Sequence, residues 1–143
     1  MLIQRNSVNI LNSLFSYVRV LSSTNIKFTM VEKGIQKMVI AKKGETLLDV
    51  ARRFNINLTG ACEGNCACST CHIIFDKNVY NKLPPPKEEE EDMLELAFGL
   101  TPTSRLACQV KVDERLDGSK IIIPDVQRNV MIDTLKKDIK SKI

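Results

Sequence analysis

The chain has 143 residues, a length typical of one globular domain, of which 43% are apolar and 27% charged. This composition excludes wholesale disorder, and no apolar stretch approaches the roughly 20 residues that a transmembrane helix needs. The net charge of +4 comes from the two ends, because residues 28–132 hold 14 basic and 15 acidic side chains. With no basic patch in this central part and no Trp in the chain, the sequence argues against nucleic-acid binding.

The N-terminal segment, residues 1–25, is rich in Ser, Asn, Leu and Val and has two arginines but no acidic residue. Such a composition is typical of a mitochondrial transit peptide. An ordinary amphipathic helix and a secretory signal are the alternatives, although Arg19 and the scattered polar residues interrupt the compact apolar region of a secretory signal. We expect the folded domain to occupy residues 26–132, followed by a basic tail over residues 133–143.

The first half of the domain is predicted to form a hairpin and then a helix. Apolar and polar residues alternate on both sides of Gly34, which predicts two antiparallel strands. Thr46 begins a short amphipathic helix, since Asp49 completes a Thr-x-x-Asp capping pattern. A loop rich in small residues follows over residues 58–71, and a short apolar run predicts a strand over residues 72–75.

The second half is predicted to contain one helix and two strands. The sequence LPPP at residues 83–86 excludes regular structure. Residues 88–98 predict a helix, because acidic residues meet the positive end of the helix dipole and Gly99 stops the helix. Its expected inner face consists of Met93, Leu94, Ala97 and Phe98. Strands over residues 109–112 and 120–123 complete an α+β fold around a mixed sheet.

The five cysteines are the most informative feature of the sequence. Four of them lie inside a stretch of ten residues in the predicted loop. Cys62, Cys68 and Cys71 have the spacing C-x5-C-x2-C, and Cys108 arrives from a distant segment. A [2Fe-2S] cluster requires such an arrangement, with two thiolates on each iron and small residues that let the backbone approach the sulfides.

Other uses of these cysteines remain as alternatives. An odd number of cysteines behind a mitochondrial-type leader disfavours a disulfide framework. Four thiolates also suit tetrahedral zinc, but structural zinc sites commonly use two Cys-x2-4-Cys pairs, and this chain offers only one such side. The spacing therefore favours the iron–sulfur cluster, with a zinc-binding interaction module as the second hypothesis.

Three segments, ACEGNCACSTCHIIF, EEDMLELAFGLTPTSRLACQVKV and IIIPDVQRNV, resemble the adrenodoxin-type mitochondrial [2Fe-2S] ferredoxins. The resemblance covers residues 26–132 and implies a β-grasp fold with a cluster-binding loop and an acidic interaction helix. It implies one [2Fe-2S] cluster per chain, with the ligands Cys62, Cys68, Cys71 and Cys108. Cys66 stands where many relatives have an apolar residue, and we interpret it as a small buried thiol outside the ligand set.

As such a ferredoxin, the protein would be an electron-transfer protein and not an enzyme. It would take one electron from an NADPH-dependent ferredoxin reductase in the mitochondrial matrix or a related organelle. LPPP, TSRLACQ and PDVQRNV resemble the ferredoxins that serve iron–sulfur cluster assembly, and the alternative acceptors are a mitochondrial cytochrome P450 or a haem-modifying enzyme. We expect a monomer that docks basic partners through Glu88, Glu89, Glu90, Glu91, Asp92 and Glu95.

Two further polar residues have no predicted chemical role. His72 directly follows the third cysteine, and we expect it to hydrogen-bond the protein framework. Arg105 either pairs with the acidic helix or faces solvent. A cluster-bearing domain of a larger enzyme is disfavoured, because no G-x-G-x-x-G motif for a nucleotide cofactor accompanies the cysteines.

Overall fold

The computed structural model describes residues 25–125. The predicted transit peptide, apart from Asn25, and the predicted basic tail lie outside these residues. Five strands are present, namely β1 Asn25–Glu32, β2 Ile35–Lys42, β3 His72–Phe75, β4 Ser104–Leu106 and β5 Lys120–Ile123. The helices are α1 Leu47–Arg53, α2 Lys77–Tyr80 and α3 Glu88–Glu95, with a 3-10 turn at Glu114–Leu116. No helix in this part of the chain combines the length and apolar character needed to span a membrane.

The strands form one mixed sheet in the order β2-β1-β5-β3-β4. β1 and β2 form the predicted hairpin, and both residues of its turn, Lys33 and Gly34, have positive φ, as a tight turn between twisted strands requires. β5 runs parallel to β1 and antiparallel to β3. This central strand therefore joins the N-terminal hairpin to the strands that carry the cysteine segments.

The core lies on one face of the sheet, where alternate residues of the strands point inward. Phe28 and Met30 of β1 and Ile121 of β5 are almost fully buried, together with the apolar residues of α1. α1 begins as predicted, since the Thr46 hydroxyl accepts a hydrogen bond from the Asp49 backbone N–H at 3.1 Å. The expected α+β fold with a mixed sheet is confirmed.

Two of the predicted elements differ from the structure. α3 ends at Glu95, three residues before the predicted end, because the backbone tightens there into a bond from Ala97 N to Leu94 O. The helical face does not extend to Phe98, whose side chain is 48% exposed although it was expected on the inner face. Gly99 has a φ of +71°, but it lies in the turn beyond the helix.

The prediction of a sheet strand over residues 109–112 is wrong, because these residues do not join the sheet. The chain turns directly after β4, where Gln109 N donates to Leu106 O at 2.9 Å. The turn carries the following residues away from the sheet and beside the segment that leads into α1. There Leu47 N donates to Val110 O at 3.0 Å and Val112 N to Glu45 O at 2.8 Å. The apolar residues are thus buried as the pattern predicts, but outside the sheet.

Candidate metal centre

The cysteine-bearing loop between α1 and β3 has an unusual backbone. Glu63, Gly64 and Cys66 all have positive φ, a conformation that non-glycine residues rarely adopt. Gly60, at the start of the loop, lies so close to α1 that an added Cβ would be 2.8 Å from a methyl carbon of Leu48. The absence of a side chain at Gly60 lets the loop pack against the helix.

The twisted backbone turns several N–H groups toward cysteine sulfurs. The N–H groups of Gly64 and Ala67 point at the Cys62 sulfur and that of Cys66 at the Cys108 sulfur, while the Asn65 N–H donates to the Cys62 carbonyl at 3.2 Å. The Asn65 side chain also donates a hydrogen bond to the Cys62 carbonyl, at 2.9 Å, which stabilises the loop backbone. Donors aimed at sulfur are what a site for negatively charged thiolates needs.

Cys108 reaches the loop through the sheet. β3 and β4 pair His72 with Leu106, and the next hydrogen bond along the ladder runs from Ala107 N to Cys71 O at 3.0 Å. The turn after Leu106 then presents the Cys108 side chain to the loop. The pairing of two short strands thereby joins cysteines that are separated by 36 intervening residues in the chain.

The four cysteines of the predicted ligand set meet as two pairs. The Cys68 thiol contacts the Cys62 sulfur, and the Cys71 thiol contacts the Cys108 sulfur. Within residues 25–125, no group of three or more His, Cys, Asp or Glu side chains is arranged to hold a single metal ion. Two pairs of thiols suit two iron ions, each with two protein ligands.

Two of these cysteines have a pKa below the usual thiol value. Contact with the Cys71 thiol lowers the pKa of Cys108 to about 6 in spite of burial, with help from the Gln109 side chain. Burial opposes ionisation of Cys62, but hydrogen bonds from Ala67 N–H and the Cys68 thiol outweigh it and lower its pKa. The Cys71 pKa is raised by its hydrogen bond to Cys108 and by burial. Metal binding requires deprotonated thiols, so the lowered pKa values of Cys62 and Cys108 favour ligation.

Side chains beside the pairs also provide donors. The Thr70 hydroxyl oxygen accepts a hydrogen bond from Ala61 N–H at 3.0 Å, so its own proton is available to Cys68 Sγ at 3.1 Å. The Gln109 amide nitrogen lies 3.4 Å from Cys108 Sγ. Ser69 Oγ is buried and has no hydrogen-bond partner among the described residues. Four thiols in two pairs, with donors around them, fit a [2Fe-2S] cluster.

Cys66 differs from the other four cysteines. Its Sγ donates to the carbonyl of Glu89 on α3 at 3.6 Å. Burial, together with the negative charges of Cys108 and Glu90, raises the pKa of the Cys66 thiol to about 11. The side chain is half-buried, so Cys66 is less enclosed than the small buried thiol that was expected.

The structure corrects the predicted docking surface at one position. Glu90 is only 2% exposed, and its carboxylate accepts hydrogen bonds from Arg105 at 2.7 and 2.9 Å and from Leu106 N–H at 2.9 Å. It faces inward because the next turn of α3 packs Leu94 into the core. The other predicted docking residues are exposed, namely Glu88, Glu89, Glu91, Asp92 and Glu95.

The two polar residues without a predicted chemical role both serve the framework. His72 Nε2 and Ser104 Oγ share a hydrogen bond of 2.6 Å across β3 and β4. Burial lowers the pKa of His72, which keeps the ring neutral. Arg105 joins the acidic helix, as one of its two predicted alternatives states, and also donates to the carbonyl of Pro84 at 2.7 Å.

Sequence reasoning missed the residues that support the sulfurs. Thr70 lies within the cysteine motif and Gln109 directly follows Cys108, so adjacency to the cysteines is a signal for both. No sequence spacing predicts that Glu90 in particular pairs with Arg105, because the two residues lie on separate elements, α3 and β4.

A family model for the 2Fe-2S iron–sulfur cluster binding domain matches residues 31–113. The 2Fe-2S ferredoxin of Rickettsia bellii is 53% identical over 109 residues, which cover 76% of this chain and 98% of the relative. The mitochondrial adrenodoxin homolog of Saccharomyces cerevisiae is 49% identical over 106 residues, which cover 73% of this chain and 62% of the relative. The chain belongs to the adrenodoxin-type [2Fe-2S] ferredoxins.

Solved structures of this ferredoxin family agree with the fold. The ISC-like [2Fe-2S] ferredoxin of Pseudomonas putida aligns with a TM-score of 0.64 at 35% identity, covering 73% of this chain and 96% of that one. A chain of the covalent complex of putidaredoxin reductase and putidaredoxin aligns with a TM-score of 0.65 at 33% identity, covering 70% and 99%. The ferredoxin therefore has the expected β-grasp fold, binds a [2Fe-2S] cluster and is an electron carrier.

Proposed function

We propose that this ferredoxin carries single electrons from an NADPH-dependent flavoprotein ferredoxin reductase to the iron–sulfur cluster assembly machinery of the mitochondrial matrix. Its [2Fe-2S] cluster, when bound, takes up and releases one electron. The two electrons of each NADPH would leave the flavin one at a time and reduce two ferredoxin molecules. The observation that carries the proposal is that the pairing of β3 with β4, continued by the bond from Ala107 N to Cys71 O at 3.0 Å, brings Cys108 to the cysteine loop. The proposed ligands are Cys62, Cys68, Cys71 and Cys108.

The ligand set is tested by serine substitution of each cysteine in turn, with Cys66→Ser as the matched control. The measurements are iron, sulfide and zinc content and the EPR spectrum before and after reduction with dithionite. We expect an S = 1/2 signal on reduction for the native protein and for Cys66→Ser, and an altered or lost signal for Cys108→Ser. An unchanged signal and iron content in Cys108→Ser would remove this ligand from the set. Stoichiometric zinc in place of iron would favour the zinc-binding module.

The docking surface is proposed to be the outward face of α3. Its five exposed carboxylates form a negative patch on the helix whose Glu89 carbonyl contacts Cys66 in the cysteine loop. Such a patch accelerates encounter with a basic partner surface through long-range attraction. The structural likeness to putidaredoxin in its complex with a reductase supports a reductase as one partner.

Reversal of Asp92 to Lys tests this surface, with Asp125→Lys as a control at an exposed acid beyond the end of β5. The measurement is the rate of ferredoxin reduction by the reductase in stopped flow at several salt concentrations. We expect the rate for Asp92→Lys to fall about tenfold at low salt and to depend less on salt, since exposed charges act through a screened field. Adding Glu95→Lys should slow the reaction further. Equal rates for both single variants at low salt would contradict docking through α3.

Cluster assembly as the acceptor pathway is supported by the likeness to the ISC-like ferredoxin and by the mitochondrial relative. The test is a purified assembly reaction that contains a scaffold protein, iron and a sulfur donor, with NADPH and reductase as the electron source. We expect cluster formation on the scaffold to require this ferredoxin. Efficient support of a mitochondrial cytochrome P450, with no effect on cluster formation, would favour the alternative acceptor.

The proposed boundaries are a transit peptide over residues 1–25, the ferredoxin domain over residues 26–132 and a basic tail over residues 133–143. The acid-free leader and the mitochondrial relative support a mitochondrial location. N-terminal sequencing of the protein purified from isolated organelles tests the location and the cleavage site together. A protein that keeps Met1 and stays outside the organelle fraction would contradict both.

A further inference from the structure

The side chain of Gln109 adds a further connection between the segment of Cys108 and the cysteine loop. Its side-chain nitrogen lies 3.4 Å from Cys108 Sγ and 3.5 Å from the carbonyl oxygen of Gly64. Its own backbone N–H donates to Leu106 O at 2.9 Å, which fixes the turn that carries it. The half-buried carboxamide thus bridges the fourth proposed ligand and the loop that holds the other three.

The orientation of this carboxamide follows from its two neighbours. A backbone carbonyl oxygen is an acceptor only, and a cysteine sulfur is a weak acceptor that becomes a stronger one, with no proton to donate, when it is ionised or bound to metal. The –NH₂ end of Gln109 satisfies both neighbours with its two protons. The opposite orientation would place the amide oxygen against two acceptors. The nitrogen therefore faces the sulfur. The hydrogen bond between them is stronger when the sulfur is negatively charged.

The loop leaves room for this contact without a competing side chain. Gly64 has a φ of +93°, and a Cβ built on it would lie 3.8 Å from the Cβ of Cys108. The Gly64 carbonyl oxygen lies within reach of the Gln109 side-chain nitrogen, at 3.5 Å. Within residues 25–125, the side-chain amide that donates to a cysteine sulfur is that of Gln109.

A hydrogen bond to a ligand sulfur acts differently on the two redox states. Reduction adds one negative charge to a cluster and its thiolates, so a donor stabilises the reduced state more than the oxidised state. We propose that Gln109 is a positioning residue that raises the reduction potential of this ferredoxin by donating its side-chain N–H to the sulfur of Cys108. This inference rests on the proposed role of Cys108 as a cluster ligand.

The experiment is a redox titration of the full-length protein with its cluster bound, followed by EPR and visible spectroscopy. Gln109→Met keeps the length of the side chain and removes both donors. Gln109→Glu keeps the shape and replaces the donor by a negative group. Gln36→Met is the matched control, because Gln36 is exposed on β2 at the opposite edge of the sheet from β4.

We expect the ratio of reduced to oxidised protein at a fixed potential to fall about threefold to tenfold in Gln109→Met, where tenfold corresponds to about 59 mV for one electron. Gln109→Glu should lower the ratio further, and Gln36→Met should leave it unchanged. The EPR g-values of the two Gln109 variants should also shift, because one sulfur loses a hydrogen bond.

A purely structural role for Gln109 gives a different pattern. Loss of the bridge to Gly64 would then speed cluster release, while the potential and g-values of the remaining clusters stay native, and this result would overturn the proposal. If Gln109→Met loses its cluster, Gln109→Glu carries the test, and a native potential in that variant overturns the proposal as well. Failure of the proposed role of Cys108 is distinguishable, because Cys108→Ser would then keep the native EPR signal and iron content.

Discussion

The two faces of α3 use the same kind of side chain in opposite ways. On the inward face, Glu90 is buried and bound by Arg105 and by Leu106 N–H. On the outward face, five carboxylates are exposed and make no ion pair within residues 25–125. The comparison shows that a run of acidic residues can hold one structural carboxylate among several that are free to meet a partner.

Contacts on the inward face of α3 determine where the outward face lies. The Glu90–Arg105 pair attaches α3 to β4, and β4 leads directly into the turn of Cys108. Arg105 also donates to Pro84 O, which fixes the proline segment before the helix. A buried ion pair is weak evidence for stability, since desolvation offsets the attraction. Its effect here is to hold the helix in one place beside the cysteine loop.

The largest expected effect comes from breaking the inward pair on one side. Arg105→Met leaves the Glu90 carboxylate buried without a counter-charge, and we expect the free energy of unfolding to fall by about 3–5 kcal/mol. Chemical denaturation of the cluster-bound protein measures this change. Arg115→Met is the control, because Arg115 pairs with Asp113 at an exposed site, and it should cost about 1 kcal/mol or less. Similar losses in both variants would contradict the special role of the buried pair.

A smaller effect is expected when both charges are removed together. Glu90→Gln combined with Arg105→Met leaves an amide oxygen for the Leu106 N–H and no buried charge. We expect this double variant to be more stable than Arg105→Met alone by about 2 kcal/mol, because the cost of the single change is mainly the unpaired carboxylate. Denaturation of the single and double variants gives the coupling energy. Additive losses would show that the two side chains act independently.

The smallest effect on stability is expected on the outward face. Asp92→Lys combined with Glu95→Lys changes exposed side chains, so the free energy of unfolding should stay within about 0.5 kcal/mol of native. The same double variant should show the slowest reduction by the reductase among the docking variants. A loss of stability comparable to that of Arg105→Met would mean that the outward carboxylates also serve the fold.

Much of the fold is predictable from local sequence patterns. The hairpin around Gly34, the Thr46 cap of α1, the strand β3 and the strand β5 all follow from periodicity and turn residues, and the structure confirms them. The prediction fails where long-range contacts decide. Residues 109–112 leave the sheet because the turn of Cys108 redirects them, and α3 ends early where the bond from Ala97 N to Leu94 O tightens the backbone.

The cysteine site also has one part that local sequence predicts and another that depends on long-range contacts. Spacing alone identifies three cysteines of one loop and the distant Cys108 as a candidate cluster site, since a [2Fe-2S] cluster needs four thiolates. Spacing does not show which sulfurs pair, nor that Thr70 and Gln109 lie beside them, because these contacts depend on left-handed loop residues and on the pairing of β3 with β4. Adjacency to a cysteine marks Thr70 and Gln109 as candidates, but the local sequence does not show where their side chains point.

The sequence by itself determined the type of fold, the cysteines and the acidic character of α3, because periodicity, spacing and charge are local properties of the chain. Only the tertiary structure decided that Glu90 belongs to the interior and its neighbours to the surface. Six acidic residues lie within eight positions of α3, and local sequence treats them alike. One of them is buried because packing of Leu94 turns it toward Arg105, and a buried charge persists only where a partner meets it.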